Sequence, residues 1–469
     1  MTAESEIAAL FAKFEATHEP YKIQVRGVSL WPLLRVSVGY AIQELPLSLT
    51  SLTRFQLIIA TARSACDVLF NRKLVADYVV KSYASSLRIK GKGAQGYEDV
   101  YFEELLKSKA GGLRLHSLNA PGYSNRRHGQ QVVSVDCTAI LTLGSALGRI
   151  FPIYDGNDAY ETLASLIGRH LGVAEFSAQR IARVFASFWW QAWLYKKLLR
   201  SSKTKSVIAA DSEERALAFA CCGLGIQFIE LQHGVLNPND PLCLPAAALD
   251  QTTEQALLLP DALALYGDYW TTRHAHTAMG KLGRVFSVGS STIDRYFANR
   301  VSNFQADLRC PKLVVTTQGL DRSALIAFLA SFLEMYKGNC EISIKLHPAY
   351  DRSIEPYTKV LGADPRVSII SGDGEPNTYE LIARSDLHIS IASACHFDAL
   401  GIGTPTVVLN LIGSDVVQDI VESGDAVYVK SPMELVALVT QMSWNKIPQT
   451  VSNKYFKQGF LKNILHLMQ

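Results

Sequence analysis

Eight cysteines in 469 residues (Cys66, Cys137, Cys221, Cys222, Cys243, Cys310, Cys340 and Cys395) show no paired CxxC spacing. They are scattered through apolar stretches, which argues against a disulfide framework and against a zinc site and fits a reducing compartment. Charge of one sign is also lacking: 46 basic residues face 43 acidic ones, for a net +3. A nucleic-acid-binding surface has no support in that balance. No uninterrupted apolar run reaches bilayer-spanning length, and Met1-Thr2-Ala3-Glu4-Ser5-Glu6 has neither the basic nor the apolar section of a signal peptide. The expectation is a soluble cytoplasmic protein, or one held only at the surface of the inner membrane. Internal repeats and low-complexity tracts are absent as well.

What is present is a large apolar fraction, 48% of residues. A chain this long exceeds what one core usually supports, so two domains are expected. Residues 1–110 read as predominantly helical and irregular, with turn signals and large apolar side chains mixed in Gly27-Val28-Ser29-Leu30-Trp31-Pro32-Leu33-Leu34-Arg35 and a short strand at Ala65-Cys66-Asp67-Val68-Leu69-Phe70. Val132 to Asp136 is another strand candidate, and a long helical pattern runs from about Ala174 to Leu199. Clear α/β alternation follows. Strands are expected at Ser206–Ala210, Gln227–Leu231, Ala262–Tyr266 and Val285–Val288, with Asp211-Ser212 resembling a helix start and Gly223 and Gly225 ending that helix.

A second sheet is expected after Pro311, from strands at 312–317, 341–345, 367–370, 387–391 and 406–409 with helices between them. The fold class is therefore α/β, with two Rossmann-like domains: 1–289, with a helical N-terminal elaboration, and 311–440. A linker spans 290–310, and a helical segment, 441–469, could pack back across the hinge. Leu231-Gln232-His233-Gly234 and Lys345-Leu346-His347-Pro348 each end an apolar run. Ligands bind at the carboxyl ends of parallel strands, so these two histidines suggest a cleft between the domains.

Several motifs then occur in a familiar order. The run from Lys203 through Glu230-Leu231-Gln232-His233-Gly234, then Pro260-Asp261-Ala262 and Tyr266-Gly267-Asp268-Tyr269-Trp270, resembles bacterial surface-polysaccharide glycosyltransferases of the GT-B superfold. Gly27-Val28-Ser29-Leu30-Trp31 and Asp67-Val68-Leu69-Phe70 are similar to elements of the same group. Lys345-Leu346-His347-Pro348, and Ser393 before Asp398-Ala399-Leu400-Gly401-Ile402-Gly403-Thr404-Pro405, extend the resemblance over most of the chain. Sialyltransferases and Kdo transferases, which use CMP-activated sugars, and CDP-glycerol glycerophosphotransferases are the implied relatives. In several of these a His-Pro motif and a later serine motif hold the donor phosphate. His347 matches the first, whereas Ser393 is followed by Ala394-Cys395 instead of a second serine.

The resemblance implies transfer of a sugar, with a CMP-linked ulosonic acid as the leading donor held by the C-terminal domain, to a surface glycan acceptor of O-antigen or capsule that is held by the N-terminal domain and could be lipid-linked. The nucleotide sugar is then a substrate, and no cofactor or nucleic acid is called for. Such chemistry needs a phosphate held firmly, its developing charge stabilised, and an acceptor hydroxyl deprotonated. His347 can donate to phosphate, and Lys345 adds charge if it points the same way, since alternation puts both on one strand face. Ser390 and Ser393 precede the helix containing Asp398, whose free N–H groups would form an anion site. Gln318 and Gly319 sit in a loop suited to flank the donor; Glu375 is a candidate for the base pocket and Asp398 for a sugar or ribose hydroxyl. No Asp-x-Asp stands in a suitable position, so no metal is expected.

His233 is the leading candidate for the catalytic base, because an imidazole is the side chain suited to take up a proton near neutrality. It could instead only cap a turn. Asp136, after its strand, is the carboxylate alternative, while Asp155, Asp158, Asp211 and Asp268 read as solvated or capping acids. The aromatic run Phe188-Trp189-Trp190-Gln191-Ala192-Trp193-Leu194-Tyr195, followed by Lys196-Lys197, suits either a core helix or docking on an anionic bilayer. Two other readings stay open: a sugar-nucleotide 2-epimerase of the same superfold, and a noncatalytic polysaccharide-assembly subunit.

Overall fold

The computed structural model describes residues 3–44, 57–62, 64–65, 75–83, 86–91, 96–117, 134–210, 214–303, 310–442, 444 and 446–469. Two compact units emerge. The first comprises Met1–Leu265, Trp270–Ser287 and Ile464–Gln469; the second comprises Tyr266–Tyr269 and Val288–Asn463.

The chain opens with a helix, Ala3–His18, and a small hairpin of β1 (Gln24–Val25) and β2 (Val28–Ser29). Strand β3 (Tyr78–Tyr83) begins the main sheet of the first unit, and β4 (Leu87–Lys90) and β5 (Tyr97–Asp99) form a second hairpin. The sheet is completed by β6 (Gly112–Ser117), β7 (Ser134–Asp136), β8 (Ser206–Ala209), β9 (Gln227–Leu231), β10 (Ala262–Leu265) and β11 (Val285–Ser287). Its order is β11-β10-β9-β8-β3-β6-β7, parallel throughout.

Five strands, β1 to β5, thus lie where residues 1–110 read as predominantly helical, and β6 follows just beyond. The reason is legible in β3 and β6: Lys81 and Arg114 interrupt the apolar runs Tyr78-Val79-Val80 and Leu113-Leu115, yet both are buried, at 0% and 1% exposure. A fully buried parallel strand reads as a continuous apolar run only when its charges are elsewhere. Here they are inside and paired: Lys81 Nζ lies 2.9 Å from Glu214 Oε1, and Arg114 Nη2 lies 2.9 Å from Glu103 Oε2. The proposed strand at 65–70 and the helix start at Asp211-Ser212 lie largely outside the described residues.

The long helix Ala178–Ser202 is capped by Ser177, whose Oγ accepts from Arg180 N, and it packs on the helix Thr138–Ile150. Close approach is possible because Gly144 and Gly148 present bare backbone; a Cβ at Gly148 would stand 2.6 Å from Ser187 N.

In the second unit β12 (Lys312–Thr316), β13 (Glu341–Lys345), β14 (Val367–Ile370), β15 (Leu387–Ser390), β16 (Thr406–Leu409) and β17 (Val427–Val429) form a parallel sheet in the order β14-β13-β12-β15-β16-β17. Strands β15 and β16 are buried at every position, as expected of strands covered by helices on both faces. The segment expected to be a linker is a helix, Ser291–Asn303. Its Arg300 donates to Ala383 O, Ser385 O and Gly403 O at 2.7–3.1 Å, so this segment is an integral part of the second unit. The protein is therefore α/β with two Rossmann-like units.

Candidate functional site

Sheet order decides where each unit can bind. In the second unit the chain runs from β12 outward to β13 and β14, then returns to β15 on the other side of β12. The loops leaving β12 and β15 therefore part in opposite directions, opening a crevice at their carboxyl ends. Gln318-Gly319 leaves β12, Ser393 follows β15, and His347 follows β13, the strand beside β12.

His347 is held in one tautomer. Its Nδ1 accepts from Ala349 N and Tyr350 N, each at 3.0 Å, and its ring stacks on Tyr350 with centroids 4.7 Å apart. An imidazole nitrogen accepting two N–H bonds carries no proton, so the proton sits on Nε2, which is a donor. Gly319 has φ +75°, and a Cβ there would stand 2.6 Å from Tyr350 O, so the loop after β12 closes onto the His-Pro loop only without a side chain. Gln318 Oε1 is shielded from solvent and, among the described residues, accepts no hydrogen bond. Asp351, fully buried, ties these loops together. It accepts from Thr317 Oγ1 and the Tyr357 hydroxyl at 2.6 Å and from Arg322 Nε at 2.9 Å. Sequence reading passed over Asp351 and Arg322, although Asp351 stands only four residues beyond His347.

Two expected phosphate contacts have other partners. Lys345 is 3% exposed, and its ammonium donates to Ser371 O at 3.0 Å, Pro376 O at 3.2 Å and Gly374 O. It anchors the 371–376 loop, because a buried ammonium must satisfy its donors locally. Ser390 Oγ donates to Thr316 O at 2.7 Å and ties β15 to β12. Ser393 Oγ accepts from Cys395 N at 3.1 Å, at the start of the helix Cys395–Ile402. Asp398 lies half-buried in that helix, and Glu375 is exposed on the loop that Lys345 anchors.

Beneath the crevice lies a buried polar chain. Thr316 Oγ1 pairs with His388 Nε2 at 2.8 Å, and Thr406 Oγ1 meets His388 Nδ1 at 2.8 Å and His396 Nδ1 at 2.7 Å. Thr406 has one hydroxyl proton, so at least one imidazole donates to it. Burial keeps both rings neutral, with His396 brought down to about 3 and His388 well below its ordinary value.

In the first unit the chain runs β3, β6, β7 to one side and β8 through β11 to the other, which places the switch between β3 and β8. His233 follows β9, the next strand over, and is half-buried; Gly234 behind it takes φ +91°. The loop beyond is clamped from the N-terminal segment. Arg35 Nη1 donates to Pro241 O at 2.7 Å and Cys243 O at 2.8 Å, while Arg35 Nε and Trp31 Nε1 both donate to Glu15 Oε1. The Trp31-to-Arg35 motif therefore serves the loop that follows His233. Burial raises the Asp240 carboxyl in that loop, opposed by the Leu242 N–H and by the charges of Arg35 and His233.

Asp136 does not join His233. It ends β7, at the sheet edge and four strand spacings from β9, about 19 Å. Its Oδ1 accepts from Thr138 N at 2.8 Å and serves the start of the following helix. At the switch itself stand residues that sequence reading missed: Lys81, Tyr83 and Glu214.

No family model matches the chain, and no curated protein matches it. Among solved structures it is similar to MurG of Acinetobacter baumannii, with a TM-score of 0.45 and 12% identity, over 84% of this chain and 99% of that one. It is likewise similar to the wall teichoic acid polymerase TagF, with a TM-score of 0.44 and 10% identity over 92% and 96% of the two chains. UDP-GlcNAc 2-epimerase from Neisseria meningitidis gives a TM-score of 0.48 and 12% identity over 83% and 98%.

Proposed function

We propose that the protein is a glycosyltransferase that takes a sugar from a nucleotide-activated donor, with a CMP-linked ulosonic acid as first choice, and passes it to a bacterial surface glycan of the O-antigen or capsule type. The observation that carries this reading is His347, whose Nδ1 is occupied by two backbone N–H groups, so that its Nε2–H is a fixed donor at the carboxyl end of β13. A preset N–H donor suits a phosphate oxygen, on which charge grows as the nucleotide departs. Gln318, Gly319 and Ser393, from the two loops that part at the switch point, are assigned to the same donor site. Asp398 and Glu375 are assigned to its sugar and base ends. His233 is assigned to receive the acceptor proton. The reading routes no step through a metal.

The test is incubation of the purified protein with CMP-, UDP- and GDP-sugars, with and without bacterial oligosaccharides. Nucleotide release that depends on the oligosaccharide is the expected result. An isomerised donor formed without any oligosaccharide would make the protein an epimerase, and nucleotide binding with neither product would make it a binding subunit.

Peripheral contact with an anionic membrane belongs to the same reading. Ile150 at the end of the helix Thr138–Ile150, Phe151 and Tyr154 in the loop after it, and Trp193 on the packed helix Ala178–Ser202 are 47–68% exposed, and Lys197 Nζ lies 5.7 Å from the Trp193 ring centre. Aromatic groups beside cations suit the headgroup region. Among the described residues, no helix is long and apolar enough to cross a membrane. Flotation with vesicles containing acidic lipid, and none with neutral vesicles, is expected; recovery only in the unbound fraction with both would remove the membrane contact.

A further inference from the structure

The loop that follows His233 carries a thiol that the proposed reaction does not use. Cys243 Sγ lies 3.7 Å from His274 Nε2, and His274 is fully buried just after the helix Asp268–Arg273. His274 Nδ1 stands 2.9 Å from the Trp270 carbonyl oxygen, which can only accept. The imidazole proton is therefore on Nδ1, and Nε2 turns its lone pair to the Cys243 S–H. A carbonyl behind one ring nitrogen and a sulfur before the other is the arrangement of a metal-binding histidine.

The backbone presets this pair. Ala278 N donates to Leu244 O at 2.8 Å, Pro245 and Thr277 form an antiparallel bridge, and Thr277 Oγ1 donates to His274 O at 2.7 Å. Cys243 and His274 share the wall of a cavity of about 30 Å³ with Met279, whose thioether is a soft ligand. A water molecule needs roughly 10–15 Å³ by the same measure, so an ion of similar size fits. Spacing and ligand set choose among metals. Bonds of about 2.3 Å to sulfur and about 2.0 Å to nitrogen put the two atoms roughly 3.7 Å apart at a trigonal centre and roughly 3.5 Å apart at a tetrahedral one. Among the described residues no three His, Cys, Asp or Glu side chains form a group that could hold a metal ion, so the four-ligand set of structural zinc is not available here. One thiolate, one imidazole and one thioether suit copper(I), which soft ligands select.

We propose that Cys243, His274 and Met279 form a binding site for one copper(I) ion within the first unit. The ion takes the place of the proton that thiol and imidazole share. The Cys243 S–H bond breaks, bonds from sulfur and from His274 Nε2 to copper form, the proton leaves to solvent, and no electron is transferred. Once filled, the site fastens the loop after His233 to the segment that carries His274 and Met279. It does not depend on the transferase reading and enters no step of it.

The experiment titrates copper(I), kept reduced under anaerobic conditions, into the full chain in competition with the chromophoric chelator bicinchoninate. The natural protein is expected to withhold one ion per chain. Cys243→Ser is expected to lose that ion, while His274→Gln weakens its binding by roughly 100-fold and Met279→Leu by about tenfold. Cys222→Ser, which removes an exposed thiol elsewhere, is expected to change nothing. Copper K-edge absorption of the natural protein should show one nitrogen and two sulfur neighbours, a result that needs no variant to fold. No ion withheld by the natural protein, equal retention in Cys243→Ser, unchanged affinity in Met279→Leu, retention lost in Cys222→Ser or a shell of sulfur alone would each overturn the site.

Discussion

Single side chains here are set by the backbone groups around them: two backbone amides donate to His347 Nδ1 and leave its proton on Nε2. His233 carries the proposed proton transfer, and His233→Ala is expected to lower kcat at least 100-fold with nucleotide affinity unchanged. Turnover within threefold of the natural protein would move the base elsewhere. The buried histidines beneath the second crevice make a different prediction. His396 is brought from 6.5 to about 3, and His388 is lowered in the same direction, so below pH 6.5 the unfolded chain takes up protons that the folded chain refuses. Their contribution is complete above 6.5 and drains away as pH falls toward 3, by up to about 1.4 kcal/mol per pH unit for each ring. Thermal melts between pH 7.5 and 5.0 should show this fall, with a shallower slope in His396→Gln. Parallel slopes in the two proteins would refute it.

At the scale of strands and loops, legibility tracked charge. Strands β8, β9, β10, β12, β13, β15 and β16 read out as apolar runs because their interiors carry few charges or end in one. Strands β3 and β6 did not, because Lys81 and Arg114 sit mid-strand and find their partners, Glu214 and Glu103, at 133 and 11 residues' distance. A window of neighbouring residues contains no signal for a counter-ion that far away. The same blindness hid the first unit's switch point and the carbonyl partners of Lys345. The strand alternation that places Lys345 with His347 says nothing of the three carbonyls that capture its ammonium. If Lys345 is an anchor, Lys345→Met should speed amide exchange across residues 371–377 at least tenfold and cost about 3 kcal/mol of stability. CMP affinity should then fall only modestly. Lost CMP binding with unchanged exchange would restore Lys345 to the phosphate.

For the molecule as a whole, the two-unit α/β plan was visible in the sequence, since alternation of apolar strands and amphipathic helices is a local pattern repeated many times. The boundary was less so: residues 290–310 looked like a connection because their polar side chains concealed the helix Ser291–Asn303. Of the candidate residues, His347, Gln318, Gly319 and Ser393 follow the ends of neighbouring strands in the second unit, while Asp136 is separated from His233 by four strand spacings. The account depends most on the second unit's crevice being an anion site with His347 as its donor. Titration calorimetry of CMP, CDP, UDP and GDP against the natural protein and His347→Ala tests this directly. At least one nucleotide should bind, and the substitution should weaken it by about 10- to 100-fold, the worth of one hydrogen bond to a charged group. Equal affinity in the two proteins, or no nucleotide bound by either, would contradict it.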